Sequence, residues 1–437
     1  MRHAIMSGRN VAVFIAALLV VLTVGAVGRA HRGESIRADV PPTRAQLVSS
    51  LPRTVSIARI RKHLVALQRI ADLHGGTRVA GSPGYAASVR YVQQALARAG
   101  YRARVAPFPF VEYEELVERG QQLAPVRRSI ELEAIDYSPS TPPGGIQERI
   151  VQSSGNGCSA SDFSQANGRI ALVERGTCFI ADKAQNAQAA GALALLVFST
   201  ERGPINATLG DPDTSGIPVA AVEQSVGRSL SATRDAVVRI EIVTRKRRTS
   251  SQNVVADTHQ QRGRVLLVGA HLDSVLLGPG INDNGTGVAT LLEIARVVKQ
   301  RGPRMAVRFA FWGAEEFGLF GSRAYADSAR RQELVAYFNF DMLGSRDHVR
   351  AVYEGPYASR FHAYFRRQGL RSERIDLTGR SDNHSFEQIG VPTGGLFAGG
   401  DACYHLACDR VNAVDFRILE QLAAGAAFGI ASLAPHR

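Results

Sequence analysis

Residues 264–275 read RVLLVGAHLDSV: an apolar run, then a histidine, then an aspartate two residues further on. A short apolar run without polar alternation is the pattern of a strand buried on both faces, as in a parallel sheet, so a strand is expected over 264–270. Outward from it, an apolar-faced helix is expected over 287–299, with strands over 305–312 and 334–340. Helices are expected over 322–328, 357–368 and 415–433. Strands alternating with helices predict an α/β fold with a mixed, mostly parallel central sheet and helices on both faces. Ligand sites in such sheets lie beyond the carboxyl ends of the strands. There the chain carries His271 and Asp273, Asp283, the pair Glu315-Glu316, Asp341 and His405.

Nearer the N-terminus, Ile57, Ile60, Leu64, Leu67 and Ile70 follow helical spacing, and a second helix is expected over 85–99. The loop between them, GGTRVAGSPG at 75–84, is glycine-rich. Residues 138–145 are turn-forming, and beyond them strands over 170–176 and 192–198 flank an Ala-rich helix over 181–190. The basic run Arg245–Arg248 reads as a solvated junction. The resulting division is a leader over 1–30, a linker over 31–54, the first part of an α/β domain over 55–127, an insert over 128–245 and the second part of the α/β domain over 246–437.

The 437 residues are 45% hydrophobic and 21% charged, too apolar for a disordered chain. The formal net charge of +13 invites a polyanion partner. Lys, however, occurs only at 62, 183, 246 and 299, and the remaining positive charge is Arg scattered along the sequence. Dispersed Arg does not form a binding stripe, so no nucleic acid partner is expected. Arg2, His3 and Arg9 precede an uncharged apolar run over 11–27 that ends in small residues, the pattern of a secretory signal peptide. An uncleaved N-terminal anchor is the competing reading, and no other stretch is expected to span a membrane. Either way the rest of the chain is secreted or held at the cell surface. In that oxidising setting four cysteines allow three connectivities, and local pairing, Cys158 with Cys178 and Cys403 with Cys408, is the simplest.

A lone histidine or a Glu-Glu pair is ordinarily structural. Here separate strand ends deliver imidazole and carboxylate groups to one crevice, and zinc takes nitrogen and oxygen donors of this kind. Two metals that share a carboxylate need five such side chains, and the chain offers five with Glu315 to spare.

Five stretches then carry a family resemblance: GAHLDSV at 269–275, GPGINDNGTG at 278–287, WGAEEFG at 312–318, NFDM at 339–342 and CYHLACD at 403–409. In this order they resemble the secreted di-zinc aminopeptidases of the bacterial aminopeptidase S type, in metallopeptidase clan MH. The resemblance implies the phosphorylase/hydrolase-like zinc exopeptidase fold and two Zn2+ ions. His271 and Asp341 would ligate one ion, Glu316 and His405 the other, with Asp283 bridging and the Asp283–Asn284 peptide cis. Asp273 would hold the far imidazole nitrogen of His271. Glu315 would act as general base towards a water bridging the metals, and Tyr404 would stabilise the oxyanion. Arg380, in the loop GRSDNHSF at 379–386, would meet substrate oxygens, and Phe397 would line the side-chain pocket. The family commonly has His where this chain has Asn383, with His384 following. Residues 128–245, through GRIALVERGTC at 168–178, resemble a small β-rich protease-associated (PA) domain, which in such enzymes lies near the mouth of the site.

The activity expected is removal of the N-terminal residue from peptides by a monomeric exported enzyme. A carboxypeptidase or dipeptidase of the glutamate carboxypeptidase type is the alternative, and the CYHxxCD motif favours the aminopeptidase. A glutaminyl-cyclase-like activity or a non-catalytic binding ectodomain would have lost part of the ligand set or Glu315, and all are present.

Overall fold

The computed structural model describes residues 50–199, 207–258, 263–303 and 305–434. The expected leader over 1–30 and most of the expected linker lie outside the described residues. The last part of that linker is not a linker in structure: Leu51 and Pro52 are buried at the start of the α/β core.

The strand Val265–His271 sits at the centre of the sheet of the α/β domain. It pairs in parallel with Ala306–Trp312 on one side and with Leu334–Asp341 on the other. Thr393–Phe397 continues the parallel set beyond Leu334–Asp341, placing Phe397 opposite Asp341. The apolar run at 265–270 is buried on both faces because successive side chains serve different cores. Leu266, Val268 and Ala270 face a large core with helices Ile57–Leu73, Pro83–Arg98, Thr286–Arg301, Ala358–Arg367 and Phe416–Leu433. Leu267 joins Trp312, Tyr337 and Phe386 on the opposite face, under helices Phe320–Ser328 and Asn383–Gln388. The helix Phe416–Leu433 is long and apolar enough to cross a membrane by composition. Its Ile418, Leu419, Leu422 and Ile430 pack into the core instead, which is what a sequence scan for spans does not see.

The largest departure from expectation concerns the basic run. Arg245–Arg248 is exposed between the two parts, as a solvated junction should be, but the junction is itself ordered: it is the middle of Val237–Asp257, a 21-residue strand. This strand pairs antiparallel with another 21-residue strand, Arg104–Ala124, which the sequence pattern did not announce. The register sets Arg245 against Glu114 and Arg247 against Glu112, with Arg245 Nε 3.0 Å from Glu114 Oε2 and Arg247 Nε 2.8 Å from Glu112 Oε2. Both side chains of each pair are partly exposed, so they fix register more than they stabilise. The middle of this ribbon is largely solvated, with Tyr113 its buried exception, so it carries little period-2 apolar signal.

The ribbon ties the sheet of the α/β domain to the insert. One end of Val237–Asp257 pairs with Ala306–Trp312, and the other pairs with Ile146–Gln152. From there Ile170–Glu174, Ala194–Phe198 and Val219–Val222 run in parallel. Together they form a mixed sheet of 14 strands among the described residues. Both expected disulfides are present, Cys158–Cys178 in the insert and Cys403–Cys408 beside the strand ends.

Gly269 marks a tight point of the central strand. A Cβ there would lie 2.5 Å from both Trp312 Nε1 and the Tyr337 hydroxyl. Those two groups share a 2.9 Å hydrogen bond under the strand. Gly269→Ala is therefore expected to lower unfolding free energy by about 1–3 kcal/mol through overpacking, measured by urea denaturation against wild type.

Candidate metal centre

Four strand ends and the turns that follow them supply the site. His271 closes Val265–His271, and Asp341 closes Leu334–Asp341. Glu315 and Glu316 lie just past Ala306–Trp312, and His405 lies in the disulfide-closed loop beyond Thr393–Phe397. Asp283 departs from the strand-end rule: it sits in the turn Ile281–Gly285 that leads into helix Thr286–Arg301, and its peptide bond to Asn284 is cis.

The two carboxylate oxygens of Asp283 face different imidazoles. Oδ1 lies 3.0 Å from His271 Nε2, and Oδ2 lies 3.4 Å from His405 Nε2. His271 Nε2 is also 3.4 Å from Asp341 Oδ1, and His405 Nε2 is 3.0 Å from Glu316 Oε2. The arrangement is two imidazole–carboxylate pairs with Asp283 between them. Donor atoms of His271, Asp283 and Glu316 lie within 4.8 Å of one another, as do those of His271, Glu315 and Asp341.

Burial makes this cluster electrostatically demanding. Burial pushes Glu315 well above the ordinary carboxyl range despite the attraction of His271, and Asp382 and Glu316 push it further. Glu316 is raised for the same first reason, with the charge of Asp283 adding to it. On Asp283 the hydrogen bonds from His271 and His405 outweigh burial and hold the group below its usual range. His405 is pushed up to about 11, because Glu316 and Asp283 outweigh the burial that would lower it. Such a set of acids requires cations, either protons or a metal. Buried Asp341 Oδ1 and Glu316 Oε1 have no hydrogen-bond partner, as oxygens with ligating capacity to spare. The residues fit zinc, whose shells combine His nitrogen with carboxylate oxygen.

Several groups that hold this cluster were not legible as such. Arg78, from the glycine-rich loop, is fully buried. Its Nε donates to the Pro279 carbonyl at 2.8 Å, Nη2 to the Gly280 carbonyl at 2.6 Å, and Nη1 to the Leu272 carbonyl. One guanidinium thus ties the residue after His271 to the turn that carries Asp283, and it sets a fixed positive charge among Asp273, Asp409, Glu316 and Asp283. The only sequence signal was an Arg in a loop otherwise made of small residues. Asp409 accepts from the backbone N–H of Asn282 at 2.7 Å and of Asp283 at 3.0 Å. Ser381 donates to Asp341 Oδ2 at 2.7 Å and accepts from Asn339 Nδ2 at 2.8 Å. Asn339 in turn accepts from the Tyr337 hydroxyl, so a buried chain of hydrogen bonds runs from Trp312 to Asp341.

Asp273 differs in detail from expectation. Its Oδ1 is 3.7 Å from His271 Nδ1, an ion-pair rather than a hydrogen-bond distance. Its two oxygens instead accept the backbone N–H groups of Glu315 and Glu316, both at 3.3 Å. The carboxylate therefore positions the Glu315-Glu316 turn as well as standing beside His271. Tyr404 stacks on the His405 ring with centroids 3.8 Å apart. Arg380 is exposed on its turn, and Phe397 is half-buried at the strand end beside Asp341. His384 meets the insert, with its ring 6.2 Å from that of Phe179.

Known proteins share this arrangement of chain. Residues 253–428 match peptidase family M28, and residues 146–230 match the PA domain. An aminopeptidase of Pseudomonas aeruginosa is 37% identical over 426 residues, covering 85% of this chain and 79% of the relative. Among solved structures, an aminopeptidase from Aneurinibacillus sp. strain AM-1 superposes with a TM-score of 0.75 at 27% identity, over 89% of this chain and 97% of that one. BSAP, a zinc aminopeptidase from Bacillus subtilis, gives a TM-score of 0.62 at 25% identity, over 87% and 95%.

Arg78→Ala would strand three buried carbonyls and remove a cation from among four carboxylates. It is expected to cost roughly 3–5 kcal/mol of stability, read as a fall in the urea midpoint, with Arg78→Lys restoring part of the loss.

The shared core, the order of the strand-end residues and the inserted PA domain make this chain a member of peptidase family M28.

Proposed function

We propose that the chain is an exported aminopeptidase that uses two zinc ions to remove the N-terminal residue of peptides. The observation that carries this reading is Asp283, whose two oxygens face His271 on one side and His405 on the other. His271 and Asp341 would hold one ion, Glu316 and His405 the other, with Asp283 shared between them. Bound there, the ions supply Lewis-acid polarisation of the scissile carbonyl and lower the pKa of water at the site.

The chain's own residues do the remaining work. Glu315 is the acid beside the ligands that the two imidazole–carboxylate pairs leave over. Burial raises the proton affinity of its carboxylate, so once ionised it is a stronger base than an exposed Glu, suited to accept a proton from the attacking water and return it to the leaving amine. Asp273 fixes its position by accepting the Glu315 backbone N–H. The carboxylates of Glu315 and Asp341 also suit the substrate's free ammonium, which a blocked terminus would lack. Tyr404 is held by its stack on His405, and burial first, then the neighbouring carboxylates, keep its phenol protonated and able to donate to a developing oxyanion. Export rests on the leader over 1–30 and agrees with the two disulfides.

Assays on a panel of aminoacyl-nitroanilides and N-blocked counterparts test this. Cleavage is expected of the free-amine substrates only, abolished by chelator and restored by zinc. Equal cleavage of blocked peptides would contradict an aminopeptidase. Glu315→Gln is expected to lower kcat about 10²–10⁴-fold, with zinc content and unfolding midpoint close to wild type. An active Glu315→Gln enzyme would remove Glu315 as the base.

A further inference from the structure

Nine large hydrophobic residues are exposed among the described residues, and three of them, Leu276, Leu277 and Leu406, lie on two touching loops at the metal centre. Leu276 and Leu277 are 67% and 69% exposed, and Leu406 is 48% exposed. The loops meet edge to edge: a Cβ on Gly278 would lie 2.4 Å from the Leu406 carbonyl oxygen. Leu406 follows His405 directly, and these two residues line one shallow depression with Val275, Asp283 and Glu316, while Leu276 and Leu277 follow Val275 directly in sequence. The loops are held firmly from behind. Arg78 binds the Pro279 and Gly280 carbonyls, Thr77 Oγ1 donates to the Val275 carbonyl at 2.8 Å, and Cys403–Cys408 closes the other loop. Leucines displayed to water on braced loops beside a reactive centre mark a binding surface rather than loose packing.

We infer that Leu276, Leu277 and Leu406 form an apolar lip that receives the second residue of the substrate, the one just past the scissile bond, and selects peptides in which that residue is large and hydrophobic. The inference rests on the aminopeptidase reading, and the site's two halves give it direction. Phe397 stands beside Asp341 at one end, and Glu315 and Asp341 there suit the free amine and first side chain. Leu406 stands beside Glu316 and His405 at the other end, with the loop of Leu276 and Leu277 against its backbone. A peptide whose amine is fixed at the first end must carry its leaving part over the second. The lip offers no charged group of its own, so an acidic or glycine residue would gain nothing there.

The test uses the full enzyme and the first residue X of whichever nitroanilide is cleaved fastest. Release of X is followed from X-Leu, X-Gly, X-Asp and the simple amide of X. X-Leu is expected to have a KM about tenfold below that of X-Gly, the order that contact with a leucine side chain supplies, and X-Asp is expected to be no better than X-Gly. In the double variant Leu276→Ser/Leu277→Ser, whose sites are exposed and outside the core, the ratio of X-Leu to X-Gly is expected to fall to within about twofold. Cleavage of the amide with equal KM for X-Leu and X-Gly would overturn the lip and leave the aminopeptidase intact. Failure to cleave any free-amine substrate would overturn the aminopeptidase reading itself. A double variant that keeps the preference but converts a dimer to a monomer on gel filtration would overturn the lip in favour of contact with a second copy of the chain.

Discussion

Carboxylates packed out of water repel one another, and the fold at the strand ends is organised around containing that repulsion. Asp283, Glu315, Glu316 and Asp341 converge with two imidazoles in a space where the interaction between charges is strong. Burial already pushes Glu315 and Glu316 towards their protonated forms, and compensating cations are what oppose that push. The protein contributes one permanent cation, Arg78, fully buried and spent on backbone carbonyls as much as on charge. It then anchors the acids individually: Asp409 on the backbone of Asp283, Asp273 on that of Glu315 and Glu316, Ser381 on the carboxylate of Asp341. These anchors come from the N-terminal loop, the central strand, the disulfide region and the loop before Asn383. The catalytic part must therefore be folded throughout before the cluster exists.

The α/β core was legible because burial on two faces leaves a strong mark. The run at 265–270 and the helical spacing from Ile57 to Ile70 each reflect a face that must be apolar, whatever the tertiary details. The ribbon of 104–124 with 237–257 was not legible, since its middle is largely solvated and its pairing rests on charges such as Glu112 with Arg247. The same physics hid the meaning of Arg245–Arg248: a charge run reads as solvated, and only the partner strand reveals its register.

In the site, the residues with reactive side chains could be singled out, because His and acidic residues at strand ends are chemically conspicuous. Their supports could not. Arg78 lies almost 200 residues from the carbonyls it holds, and Ser381 looks like any loop serine until Asp341 is found 2.7 Å away. Asp273 was singled out for one contact and makes its hydrogen bonds to two others. Spacing along the chain conveys residue type and rough location, whereas the identity of a hydrogen-bond partner is a property of the folded state. The net charge of +13 says as little about location: the excess Arg is scattered, whereas the groups that could hold a metal gather in one acidic crevice.

The most direct measurement is the zinc content of the purified protein, by mass spectrometry of the metal after dialysis against zinc and removal of the excess. Two ions per chain are expected, with Asp283→Ala losing both because each imidazole–carboxylate pair shares that residue. A content of one ion or none, or an Asp283→Ala protein that still binds two, would contradict a shared carboxylate as the centre of the site.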